Sequence, residues 1–136
     1  MLFNRFFQPI IDPEELEVRC VIPLSNSSEL PLRLRWLAIL SPQLSLPLTV
    51  SGGVHTPENV VTSLMAGATT VQIVSALLKS GPEYLAPVIA GVSRWLEEHE
   101  YESLAQLRGS MNLERCPDRA AYERTNYIRT LQSWHG

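Results

Sequence analysis

Apolar residues fall along this chain in two periods, and the switch between them marks its centre. From Leu46 to Val50 (LPLTV) the run is near-continuous and stops at Ser51-Gly52-Gly53. From Pro57 the spacing becomes helical: Val60, Val61, Leu64 and Met65 form one inward stripe. Thr56 suits the N-cap, Pro57 the first helical position and Gly67 a left-handed stop. A second apolar run, Thr70 to Val74, ends in Ser75-Ala76. Strand, glycine turn, helix and strand in this order predict a βαβ unit with parallel strands that end at one edge.

The flanks read more weakly. Met1 to Phe7 resembles the end of a buried strand, and Gln8 to Pro13, with two prolines, a loop. Glu14 to Pro23 partly alternates, with Leu16, Val18, Cys20 and Ile22 on one face, which predicts a half-buried edge or hairpin strand. Leu24 to Glu29 is a polar loop. Pro31 to Leu40 predicts a helix facing the core through Leu34, Leu37 and Ala38, flanked by Trp36 and Leu40, with Arg33 and Arg35 on its solvated edge. Beyond Ser75, a single turn over Ala76 to Lys79 precedes a long helix to about His99, facing inward through Leu85, Val88, Ile89, Val92 and Leu96. Pro87 delays or kinks its start, and Glu97, Glu98 and Glu100 oppose the helix dipole at its end. Ser103 with Gln106 caps a short helix ended by Gly109. Pro117-Asp118 opens a last helix to about Trp134, with Ala121, Thr125, Ile128 and Leu131 as a narrow stripe and Trp134 as an anchor.

Composition narrows the class. A chain of 136 residues, 45% apolar, supports one domain, 1–136, with a core. A net charge of -3 leaves no basic footprint for nucleic acid. No apolar run reaches the roughly 18 residues of a membrane helix, and MLFNRFFQPI lacks the pattern of a signal peptide. Cys20 and Cys116 stand far apart without metal-ligand spacing, which predicts free thiols in a cytoplasmic protein and no metal site.

The chemistry lies in the two turns. A phosphate needs several N–H donors converging without side chains in the way. Ser51, Gly52 and Gly53 supply one set, and Val74, Ser75 and Ala76 a second, to which the Ser75 hydroxyl adds. A Gly-Gly after a strand also serves as an ordinary tight βα turn. His55 reads as a loop residue and Met65 as core filler.

VSGGVHTPENV, MAGATTVQIVSALLKSGPEYL and HEYESLAQLRGSM, in this order, resemble the C-terminal part of the dihydroorotate dehydrogenase-like flavoproteins. FNRFFQPIIDPEELEV, LPLRLRWLAIL and ERTNYIRTL extend the resemblance over essentially the whole chain. It implies an α/β fold, a partial (β/α)8 TIM barrel of about the last two to three βα units plus C-terminal helices. It further implies an FMN oxidoreductase of pyrimidine biosynthesis, with FMN phosphate held by the loops at Gly52-Gly53 and Val74-Ser75. Asn4 matches a substrate-contacting asparagine, and Ser25 to Ser28 a loop near the flavin that here lacks the usual glycines. The family's second turn reads Gly-Thr where this chain has Val74-Ser75. The family's catalytic base (Cys or Ser) and its flavin-contacting lysines belong to strands one to five, which have no counterpart here; the single lysine, Lys79, lies on another segment. The expectation is a catalytically incomplete segment: an oligomer joined through open strand edges or exchanged helices, a non-catalytic anion-binding module, or one subunit of a split enzyme completed by an N-terminal half.

Overall fold

The computed structural model describes residues 8–21, 23–122 and 132–133. Asn4, the strand end at Met1 to Phe7, Ile22 and nearly all of the last predicted helix, Trp134 included, lie outside the described residues. The described chain is mixed α/β, with two separate two-stranded sheets and no closed barrel among these residues.

The first sheet is an antiparallel hairpin of β1 (Gln8–Asp12) and β2 (Glu17–Val21). The segment expected as a loop is therefore a strand. Pro9 is tolerated because, among the described residues, β1 has a partner on one side only. The turn is held by Asp12, whose Oδ1 accepts from the amides of Glu14 and Glu15, and an ion pair from Arg19 to Asp12 (2.9 Å). The predicted half-burial of the second strand does not hold. Val18 and Cys20 are exposed, and Leu16 sits in the turn at φ 53°. No other described element covers this ribbon, so its alternation buries little.

The second sheet is the predicted parallel pair. β3 (Thr49–Ser51) and β4 (Thr70–Gln72) align Thr49 with Thr70, Val50 with Val71 and Ser51 with Gln72. Both strands are shorter than their apolar runs. Pro47 lacks an N–H for the ladder and Leu46 is exposed, while Val74 has already turned to helical dihedrals. Between them α2 (Pro57–Ala66) starts and stops where predicted, with Thr56 as cap and Gly67 (φ 114°) as left-handed end.

Helix α1 (Leu30–Leu40) follows a 3-10 turn at Ser27–Glu29 and buries Leu30, Leu37 and Ala38 against Val50, Val54, Ala66 and Ala68. Helix α3 (Ser75–Ser80) is the short turn expected after the second strand. The long helix begins late, as a 3-10 turn at Pro82–Tyr84 followed by α4 (Leu85–Glu98), with Pro87 in the first turn where a missing N–H costs nothing. Its inward face holds in part: as expected, Val88 is buried and Val92 and Leu96 pack, with Trp95, on Val61, Leu64 and Leu107, whereas Leu85 and Ile89 are exposed. Close approach explains the rotation: a Cβ on Gly91 would lie 2.4 Å from Pro57 Cγ, so the line through Gly91 faces α2. Helix α5 (Leu104–Leu107) is capped by Ser103 and closes at Gly109 (φ 71°), whose amide donates to the Leu64 carbonyl. The described start of the last predicted helix is a 3-10 turn at Arg119–Ala121 capped by Asp118. No described helix is long and apolar enough to cross a membrane.

Candidate functional site

The register of β3 and β4 brings the two predicted turns to the same edge, because Ser51 and Gln72 are opposite each other at the strand ends. Gly52 and Gly53 leave β3 with φ values of 85° and 84°, a left-handed pair that residues with a Cβ rarely adopt. The glycines also admit a close neighbour. A Cβ on Gly53 would stand 2.8 Å from the Leu30 amide nitrogen, and one on Gly52 would stand 3.1–3.2 Å from the guanidinium of Arg33. The first two turns of α1 therefore lie on this corner.

At the second turn, Val74 is exposed and contributes backbone only, Ser75 opens α3 and Ala76 is buried. The Ser75 hydroxyl oxygen accepts from the Ser25 amide (3.0 Å), leaving its own proton to donate. Ser25 joins the corner together. It is buried, its hydroxyl lies 3.3 Å from Nε2 of His55, and its carbonyl accepts from Lys79 Nζ at 3.3 Å. His55 is a loop residue, as expected, and its carbonyl accepts from the Tyr84 hydroxyl (3.1 Å). The Ser25 to Ser28 loop thus meets both turns, and Lys79 reaches it from α3.

Asn59 secures the entry to α2. Its Oδ1 accepts from the amides of His55 (3.1 Å) and Thr56 (3.2 Å) and from the Ser27 hydroxyl (2.9 Å), and Thr56 Oγ1 accepts from the Asn59 amide in return. This capping box joins the glycine turn to the Ser25 loop. Glu58, in the first turn, has its carboxyl held below the usual range by a hydrogen bond to the Thr56 side chain.

Arg33 overturns its expected place on a solvated edge. Its side chain is only 12% exposed. Nη1 donates to the Glu29 carbonyl (2.6 Å), Nη2 lies 3.5 Å from the Glu29 carboxylate, and Nε is buried without an acceptor. Helical spacing carried the signal, since position 33 lies three after Leu30 and four before Leu37, both buried. Arg35 does stay at the surface, donating to the Tyr122 carbonyl.

The donor set suits an oxyanion. It comprises the glycine turn, the first amides of α3, which lack intrahelical acceptors, the Ser75 hydroxyl and a guanidinium with an unused N–H. Ser51 is exposed at the strand end, and Val74 offers no side-chain donor. These donors are of the type from which a phosphate accepts, and nothing among them would contact a flavin ring on both faces.

No family model matches the chain. It is 33% identical over 79 residues to the catalytic subunit of dihydroorotate dehydrogenase B (NAD(+)) of Pyrococcus abyssi, covering 58% of this chain and 26% of that protein. It is 31% identical over 67 residues to the quinone-type dihydroorotate dehydrogenase of Trichormus variabilis, covering 49% and 18%. The B-type catalytic subunit of Shouchella clausii is 30% identical over 86 residues, covering 63% and 28%. The chain therefore spans less than a third of the length of the curated relatives it matches. Over about half its length, this chain is similar in sequence to part of the dihydroorotate dehydrogenases.

Proposed function

We propose that this chain is the phosphate-holding part of a dihydroorotate dehydrogenase-like FMN oxidoreductase. The supporting observation is the parallel β3–α2–β4 unit whose two strand ends turn at one edge, in a chain similar to those enzymes. On this reading the unit belongs to a partial (β/α)8 barrel and the phosphate sits where such barrels bind it, at the C-terminal strand ends. Gly52, Gly53 and the amides of Ser75 and Ala76 hold it. The Ser25 loop, pinned by Ser75 and Lys79, covers the corner. FMN, when bound, supplies a hydride acceptor. The residues here supply binding and orientation. The resemblance places the family's base on strands without a counterpart in this chain; His55 shares a hydrogen bond with Ser25, and Asn4 enters only through the resemblance, as a substrate contact. The chain is catalytically incomplete by itself.

Titration with FMN and with riboflavin, followed by the visible flavin spectrum, tests this reading. The expected result is uptake of FMN with affinity at least about tenfold above that for riboflavin, since charge-assisted contacts to a phosphate are worth about that much or more. Failure to take up FMN overturns it.

The outer edges of β3 and β4, which have no partner among the described residues, favour a second reading, in which the chain works as an assembly: an anion-binding oligomer, or one subunit of a split flavoenzyme. Unpaired strand edges and a half-built core seek partners. A monomeric mass in solution, together with no binding to a complementary barrel half, removes this reading.

A further inference from the structure

We propose that Arg33 is an anion-binding residue, with the Nε–Nη2 edge of its guanidinium forming a two-point seat for a phosphate group beside Gly52. The inference rests on the glycine corner being a phosphate site and adds a residue that the turn chemistry did not include.

The geometry is that of a guanidinium held from behind. Nη1 is fixed on the Glu29 carbonyl at 2.6 Å. The opposite edge is weakly used: Nη2 reaches a Glu29 carboxylate oxygen only at 3.5 Å, beyond the usual length of a charge-assisted bond, and Nε has no acceptor at all. Glu29 Oε1 accepts from the Asn26 amide instead (3.4 Å), as part of the capping box on the preceding turn. Nε, Cζ and Nη2 all lie 3.1–3.2 Å from the place of a Cβ on Gly52, so the glycine packs over the guanidinium face on the side of this edge and leaves the edge itself beside the turn.

A buried N–H without an acceptor is unfavourable, and a buried cation with one long ionic contact is incompletely compensated. Two parallel donors on a planar fork match two oxygens of a phosphate, as an ammonium group does not. A phosphate entering beside Gly52 would accept from Nε and Nη2 and from the glycine turn together, which meets the unmet demand of Arg33.

The test is nitrogen-edited proton spectroscopy of the full chain labelled at arginine, with the Arg33 Nε–Hε signal identified by its loss in Arg33→Lys. Sodium phosphate, FMN and riboflavin are added separately, each against sodium chloride at matched ionic strength. Phosphate and FMN are expected to shift the Arg33 signal saturably, and riboflavin is not. Arg33→Lys keeps the charge and loses the fork, and is expected to weaken phosphate binding by about tenfold while the backbone spectrum of α2 stays native. An Arg33 signal unmoved by phosphate and FMN overturns the proposal, as does a folded Arg33→Lys chain that binds phosphate like the parent. Phosphate shifts without FMN uptake keep the Arg33 seat and remove the flavin reading. FMN uptake with an unmoved Arg33 does the reverse.

Discussion

A methyl group at position 53 has no room and no comfortable backbone. Gly53→Ala is expected to destabilise the chain by about 1–3 kcal/mol, from the left-handed dihedrals alone, with more added by the contact with Leu30. A urea midpoint lowered at unchanged slope would show it, and a neutral result would mean that α1 does not rest on the corner. Tyr122 sets a different sensitivity. Its hydroxyl donates to the Met111 carbonyl (2.7 Å), and burial, then the neighbouring Cys116 thiol, raise its pKa above the ordinary tyrosine value. The folded chain thus holds that proton longer than the unfolded one. Its stabilising contribution is complete below the ordinary tyrosine range and disappears as pH climbs through the raised value. Tyr122→Phe should flatten this alkaline loss in urea midpoints measured against pH. Single residues were also where sequence reading erred most clearly. A charged residue defaults to solvent, so Arg33 was placed outside although its spacing from Leu30 and Leu37 put it beside the buried stripe.

Among the elements, α2 was foreseeable almost to the residue because its signals are local: a cap, a proline and a glycine within one short stretch from Thr56 to Gly67. What local signals missed was the second role of Asn59, which gathers donors from His55, Thr56 and Ser27. Thr56→Ala is expected to cost about 1 kcal/mol, as N-cap losses do. Asn59→Ala should cost more and should also speed amide exchange at His55 and Thr56. Equal costs for the two changes would show that the link to the Ser25 loop carries no weight. The delayed start of α4 was readable from Pro87, and Val88, Val92 and Leu96 of its inward face were too, but the turning of Leu85 and Ile89 to solvent was not. That face is chosen by the crossing of Gly91 over Pro57, a contact between distant positions that periodicity does not contain. The second strand of the hairpin was foreseen, but the first was missed for the opposite reason, since prolines suggested a loop where an edge strand holds Pro9.

For the molecule as a whole, the parallel order of β3 and β4 was foreseeable, but what lies beyond their outer edges was not, because sequence pattern specifies faces and not neighbours. The hairpin adds an uncovered apolar face, with Ile11 opposite Val18 and both exposed. Self-association is the expected outcome, seen as a sedimentation mass that rises with concentration. Ile11→Lys with Val18→Lys should leave stability within about 0.5 kcal/mol per site, as exposed substitutions do, and should lower that mass if the ribbon takes part. An unchanged mass would assign association to the β3–β4 edges.

The Lys79 clamp on Ser25 has a practical corollary. Lys79 is the chain's single lysine, and its ammonium group ends on the carbonyl of the loop that spans both turns. Lys79 is exposed at the surface, so an amine-directed label placed on it carries a reporter to the edge of that loop at one known side chain.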